Sequence, residues 1–231
     1  MYHKQIFKSR AELDQAFATQ VASQLQTVID ANGKASIAFS GGSTPKGFFA
    51  ALSNQDIAWD KVTVTLADER WVDFDDSNSN TRLLSENLLT NNAAKATLFP
   101  LKLDGELNER AVVKLNELAG NDVLPLDIVI LGMGEDGHTA SLFPCSKEIR
   151  EGLDQGAAPG LLKVVPGSAP FDRISFNFNA LVQASHLYLH LVGESKMQVL
   201  DQAIANENSM EMPIRAFLHH TSKTIDVFWA E

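Results

Sequence analysis

The residues best equipped for chemistry lie in one run, Gly132-Met133-Gly134-Glu135-Asp136-Gly137-His138-Thr139-Ala140-Ser141-Leu142-Phe143-Pro144. An imidazole titrates near neutrality, so His138 can take a proton from an attacking water and return it to a leaving group. Asp136 is close enough in sequence to orient that ring, or to make an ordinary loop hydrogen bond. The preceding residues, Ile128 to Leu131, are apolar, β-branched and not alternating, which suits a parallel strand buried on both faces. Ligands of open parallel sheets collect outside the carboxyl ends of strands, where glycines let backbone amides approach closely. His138 stands where such a ligand would sit. Gly132, Gly134 and Gly137 also fit the dinucleotide fingerprint G-x-G-x-x-G, but the context is poor. That fingerprint opens a long helix in the first βαβ unit, whereas this stretch lies past mid-chain and Pro144 stops any helix from His138 within about two turns.

A second stretch, Ser40-Gly41-Gly42-Ser43-Thr44-Pro45, joins the apolar run Ala35 to Phe39 to a helix over Lys46 to Leu52. Gly41 and Gly42 free the backbone to curl, Thr44 is a good N-cap and Pro45 is preset for a first helical position. A helix amino end with exposed amides and nearby hydroxyls seats a phosphate, although a capped strand-to-helix turn needs no ligand. The G-K-[ST] ending of a Walker A loop is absent. A third stretch, Asp68-Glu69-Arg70-Trp71, follows the strand Lys61 to Ala67. Arg70 can meet an anionic substrate or a developing oxyanion, or pair with Asp68 or Asp73.

The composition narrows the partners. A formal net charge of -10 and a pI near 5.0 argue against nucleic acid or an anionic membrane, so an anionic small molecule needs a local basic site. A length of 231 residues suits one α/β domain over residues 1–231, and no linker is visible. The single cysteine, Cys145, cannot form an internal disulfide and reads as a small buried residue. Met1 to Arg10 lack the apolar region of a signal peptide, and a cytoplasmic protein is expected.

These residues must be held by a scaffold that the rest of the chain spells out. Ser9 and Glu12 form a capping box for an amphipathic helix over Arg10 to Ala31, closed by Asn32-Gly33. Ser79 or Asn80 caps a helix through Leu88, Ala96 to Pro100 is a brief edge element, and Leu107 to Ala119 reads as a helix ended by Gly120. The acids of Asp73 to Asp76 are turn formers, not a calcium loop. Glu148 to Gly160 is loop or weak helix. Leu161 to Val165 is a strand, and Arg173 to Phe178 alternates as a half-buried strand of antiparallel type. His186 to Val192 is another strand, with His186 and His190 packed. Gly193-Glu194-Ser195-Lys196 opens a helix through Ile204, Met212 to Leu218 is a short helix, and Thr224 to Trp229 closes the sheet. His219 and His220, being adjacent, cannot face one metal and read as a solvated helix end. The pattern is α/β, a mostly parallel sheet with an antiparallel addition.

Ser40 to Pro45, Asp68 to Trp71 with Ser77-Asn78, and Gly132 to Pro144 together resemble the 6-phosphogluconolactonase family in order and spacing, over nearly the whole chain. The related glucosamine-6-phosphate deaminases share the first loop and a similar Asp-Gly-His, but Thr139 to Pro144 match the lactonase side. Asp73 departs from the proline that many lactonases carry after Trp-Val. The resemblance implies a three-layer α/β/α, Rossmann-like fold. It implies hydrolysis of 6-phospho-D-glucono-1,5-lactone in the pentose phosphate pathway, with no metal or organic cofactor. His138 matches the family's catalytic position, with Asp136 and Arg70 as candidate helpers. Gly41, Gly42, Ser43 and Thr44 match its loop near the substrate phosphate, and Arg173 and Lys196 resemble basic positions that contact phosphate. The expected partner is a sugar-phosphate lactone, and the expected state a monomer or weak homodimer. An aminosugar-phosphate isomerase-deaminase, a non-catalytic sugar-phosphate sensor and a dinucleotide enzyme are the alternatives.

Overall fold

Seven strands, most of them the apolar runs of the sequence, form an all-parallel sheet, and three further strands form a second, antiparallel sheet. The computed structural model describes residues 1–167 and 169–231. In chain order the first half comprises β1 (Tyr2–Phe7), α1 (Arg10–Asn32), β2 (Ala35–Phe39), α2 (Lys46–Ser53), β3 (Val62–Leu66), β4 (Asp68–Arg70), α3 (Asn80–Asn87), β5 (Thr97–Leu98) and α4 (Glu109–Asp122). The second half comprises β6 (Ile128–Leu131), α5 (Ile149–Gly152), β7 (Leu161–Val164), β8 (Arg173–Phe176), α6 (Phe178–Val182), β9 (His186–Val192), α7 (Glu194–Ile204), α8 (Arg215–Leu218) and β10 (Ile225–Ala230).

The large sheet runs β1-β10-β9-β6-β2-β3-β5 and the small one β4-β8-β7. Successive residues of a strand point to opposite faces. Every residue of β2 and β6 is buried, so both faces of the sheet are covered at its centre, as in an α/β/α sandwich. The amphipathic α1 is the main cover on one face. Its Phe17 stacks on Phe48 of α2 and Phe228 of β10 at centroid distances of 4.6 and 4.3 Å, and meets Tyr188 of β9 edge-on. Its ends follow the sequence. Ser9 Oγ accepts from the Glu12 amide, the Glu12 carboxylate accepts from Lys8 N, and Gly33 closes the helix at φ 79°.

Several elements differ from the sequence reading for identifiable reasons. Gly120 does not end α4, which runs on to Asp122 before Pro125; one glycine costs a helix only about 1 kcal/mol. β8 is buried at all four residues because it is the middle strand of its sheet, not a half-buried one, and Phe178 belongs to α6 with Asn177 as its cap. The cap expected of Thr44 is absent, since α2 begins at Lys46 with no side-chain hydrogen bond at its amino end. Cys145 is exposed, swung outward by the turn in which Ser146 N donates to Phe143 O. His219 and His220 are half-buried, with His219 Nε2 3.3 Å from Ala203 O. The edge strand β1 has no counterpart in the sequence reading. No helix among the described residues is long and apolar enough to cross a membrane.

Candidate active site

From β2 the chain crosses to β3 on one side, and from β6 it crosses to β9 on the other, so the adjacent carboxyl ends of β2 and β6 form a topological switch point. The two loops that leave there are tied to each other. Ser40 N donates to Ile130 O at 2.9 Å, and Ser40 Oγ accepts from Gly132 N at 3.0 Å. Between them opens a cleft of about 320 Å³. The turn Gly41 to Thr44, Arg70, His138, Arg173 and Lys196 all line it, and Asp136 stands behind the His138 ring.

The His138 loop is built to hold one imidazole in one orientation. Gly134 N donates to His138 O and Gly137 N to Gly134 O, and Gly137 adopts φ 73°. Asp136 Oδ1 accepts from His138 N at 3.1 Å and lies 2.5 Å from Nδ1 of the same residue. Burial pushes the Asp136 carboxyl up, but the His138 amide, the charge of the imidazole and its ring hydrogen bond together hold it below the usual carboxylate range. An ionised carboxylate only accepts, so Nδ1 donates to Asp136, and in the neutral ring the lone pair then falls on Nε2. Phe143 packs against the ring at a centroid distance of 4.3 Å and carries the Arg173 guanidinium 5.2 Å above its own face.

The sequence after the histidine gains a physical meaning. Thr139 Oγ1 donates to Gly132 O at 2.8 Å, Ser141 N to Ser175 Oγ, and Ser141 Oγ to Asp68 Oδ2. This Thr-Ala-Ser-Leu-Phe-Pro segment therefore fastens the His138 loop to both strands of the antiparallel pair β4-β8. Arg70 and Arg173 lie directly opposite each other in that pair, an arrangement of like charges that destabilises a sheet unless anions attend it. Asp68 Oδ2 lies 3.7 Å from Arg173 Nη1, and Arg70 Nη1 donates to Asn78 O rather than to Asp68 or Asp73. The Nε atoms of both arginines are buried without a protein partner. Burial pulls the Arg173 guanidinium below its usual range, and Asp68 opposes that pull. Lys196 reaches the cleft from the first turn of α7 and forms an ion pair with Glu135 at 2.7 Å.

The Ser40 to Pro45 turn contains glycines for two different reasons. At Gly41 a β-carbon would collide with the Asn80 side chain, whereas Gly42 faces open space but adopts φ 96°. Asn80 Nδ2 donates to Asp68 O and Asn80 N to Glu69, a buried side chain that also accepts from the amides of Arg70 and Thr81. Burial raises the Glu69 pKa against the lowering effect of those hydrogen bonds.

Asp68, Asn80 and His190 also line the cleft, and sequence reasoning did not propose them as site residues. In the sequence Asp68 belongs to the Asp-Glu-Arg-Trp stretch, where its position suggests only a partner for Arg70. His190 is packed, as expected, at 4% exposure, yet its ring forms part of the cleft floor. Burial first, and the charge of Arg10 second, lower its pKa to about 3. The folded protein therefore refuses a proton that the unfolded chain accepts near pH 6.5, so the His190 contribution is complete above that pH and falls as acid is added towards pH 3. The slope is about 1.4 kcal/mol per pH unit within that window. Urea unfolding at pH 7 and pH 5 should show this loss in the native chain relative to His190→Phe; identical pH dependence in the two would mean that His190 is not held neutral. Among the described residues no group of three or more His, Cys, Asp or Glu side chains converges as a metal shell.

An oriented imidazole beside three cationic side chains at a switch point is an arrangement suited to an α/β enzyme acting on a small anionic molecule. The chain belongs to the family described as glucosamine-6-phosphate isomerases/6-phosphogluconolactonase, which it matches over residues 8–229. It is 42% identical over 225 residues to a 6-phosphogluconolactonase of Rhizobium meliloti, covering 97% of each chain. It is also 42% identical to the crystal structure of a 6-phosphogluconolactonase from Shewanella baltica, with a TM-score of 0.95, covering 100% of this chain and 98% of that one. A monomeric glucosamine-6-phosphate deaminase shares the fold alone, at 16% identity and a TM-score of 0.79 over 99% of this chain and 97% of that one.

Proposed function

We propose that the protein hydrolyses 6-phospho-D-glucono-1,5-lactone to 6-phosphogluconate, the lactone-opening step of the oxidative pentose phosphate pathway. The observation that carries this reading is that one oriented imidazole and the glycine turn share a cleft with Arg70, Arg173 and Lys196. Water attacks the lactone carbonyl carbon as its proton passes to His138 Nε2, giving a tetrahedral oxyanion. The carbon–ring-oxygen bond then breaks, and the proton on Nε2 passes to the departing oxygen, which becomes the 5-hydroxyl. Asp136 orients the ring and stabilises the imidazolium. Arg70, which lines the cleft, attends the oxyanion, a role often worth about 3–4 kcal/mol in enzymes. The turn Gly41 to Thr44, Arg173 and Lys196 hold the phosphate and so fix the carbonyl relative to Nε2.

The test is lactone hydrolysis at controlled pH, corrected for the spontaneous rate. Acceleration of the phosphorylated lactone is expected. Ammonia release from glucosamine 6-phosphate without lactone hydrolysis would favour the isomerase-deaminase reading, and binding of 6-phosphogluconate without turnover would favour a sensor. Because Lys196 acts on the phosphate in ground and transition states alike, Lys196→Ala should raise KM about tenfold with kcat nearly unchanged. Steady-state kinetics decide it; an unchanged KM would move the phosphate elsewhere in the cleft.

A further inference from the structure

The glycine turn is gripped from behind by a residue that lines no part of the cleft. Arg10, in the first turn of α1, donates through Nη2 to Thr44 O at 2.7 Å and Ser43 O at 3.3 Å. Its Nε lies 3.8 Å from Asp14 Oδ2, one helical turn further along α1. Asp14 is itself wedged against the start of α2, where a β-carbon at Gly47 would strike its carboxylate, and its Oδ1 lies 3.9 Å from His190 Nε2. Arg10 is thus braced on one side by α1 and reaches across to the loop that leaves β2.

A trans peptide is planar, with its C=O and N–H directed oppositely. Turning the Ser43 carbonyl towards Arg10 therefore turns the Thr44 amide away from it. Among the described residues, no protein acceptor meets the amides of Ser43 and Thr44, although both residues line the cleft. The amino end of α2 has no side-chain cap to fix this turn, and Gly42 at φ 96° leaves it a wide conformational range. Something outside the turn must select the conformer that presents amides to an anion.

We propose that Arg10 is a positioning residue for the phosphate seat: by holding the Ser43 and Thr44 carbonyls while braced on Asp14, it locks the glycine turn with its amides available to the substrate phosphate. The inference rests on the proposed reading of this turn as the phosphate seat. Arg10 touches neither substrate nor the reacting atoms, and its effect is felt on anion affinity rather than on proton transfer. Both bonds leave from one nitrogen, Nη2, while Nε faces Asp14, so the planar guanidinium ties the turn to α1; the single nitrogen of a lysine cannot span the carbonyls and Asp14 together.

The experiment measures kcat, KM for the phosphorylated lactone, and the competitive inhibition constant of inorganic phosphate for the native enzyme, Arg10→Ala and Arg10→Lys. Arg10→Ala should raise both KM and the phosphate inhibition constant about tenfold, the size of one lost charge-assisted contact, with kcat within about twofold. Arg10→Lys should keep at least about a threefold rise in both, because it keeps the charge and loses the bridge between the turn carbonyls and Asp14. Thermal melts confirm that both variants are folded, which the exposed position of Arg10 favours. An inhibition constant for phosphate that is unchanged in Arg10→Ala, full recovery in Arg10→Lys, or a fall in kcat with KM unchanged would each overturn the proposal. Failure of the underlying reading looks different: the native enzyme itself would then show no competitive inhibition by phosphate and no acceleration of the phosphorylated lactone.

Discussion

His138→Ala is expected to lower kcat for lactone opening by between about 100- and 10,000-fold, the range that positioned general bases contribute. The geometry sets both the size and the selectivity of the loss. Asp136 Oδ1 sits 2.5 Å from Nδ1, so the wild-type ring presents Nε2 as a proton acceptor without having to choose between tautomers. Alanine removes the acceptor for the water proton and the donor for the ring oxygen together, so neither half of the reaction is spared. The cations of the cleft do not depend on this ring. Lys196 is held by Glu135, and Arg173 by Asp68 and the face of Phe143. Binding of 6-phosphogluconate should therefore stay within about threefold of wild type by calorimetry, which assigns the defect to the chemical step. Turnover near the wild-type level in this variant would remove His138 from the mechanism.

The parts of this site that could be read in the sequence are those made by short-range rules. Ile128 to Leu131 is a buried parallel strand because nothing in it alternates, and Ser9 with Glu12 caps α1 because the partners are three residues apart. The glycine turn and the His138 loop could be placed at strand ends by the same local logic, and the structure brings both to one cleft. What escaped is set by long-range pairing. β1 is an edge strand whose register is fixed by β10, more than 200 residues away, and its polar Tyr2-His3-Lys4-Gln5 run gives no strand signal of its own. β8 alternates in sequence yet is buried throughout, because β4 and β7 flank it and Arg173 and Ser175 find polar partners inside the molecule. The Arg70–Arg173 pair and the contact of Arg10 with the glycine turn join segments with no common pattern, so only the folded chain displays them.

Gly134→Ala should lower kcat about 100-fold while leaving the fold intact, since a displacement of the reacting group by about 1 Å costs that much in a preorganised site. The position is not one where a left-handed backbone demands glycine, so alanine introduces no backbone strain. The conflict is with a side chain. A β-carbon at residue 134 would overlap Nδ1 and Cε1 of His138 and lie 2.8 Å from Asp136 Oδ1. Ring and carboxylate cannot both stay, and the side without room to yield is the one where Phe143 already packs on the imidazole. The ring must swing away from Asp136, losing its fixed tautomer and moving Nε2 off the line of the attacking water. The loop hydrogen bonds from Gly134 N to His138 O and from Gly137 N to Gly134 O involve only backbone and survive the change. Gly120→Ala is the matching control: it lies within α4 with nothing within 4 Å of its β-carbon, and should stabilise the protein by about 0.5–1 kcal/mol with unchanged kinetics. A Gly134→Ala enzyme with kcat within about threefold of wild type would show that the imidazole has a second productive seat, and that its contact with Asp136 is not what orients it.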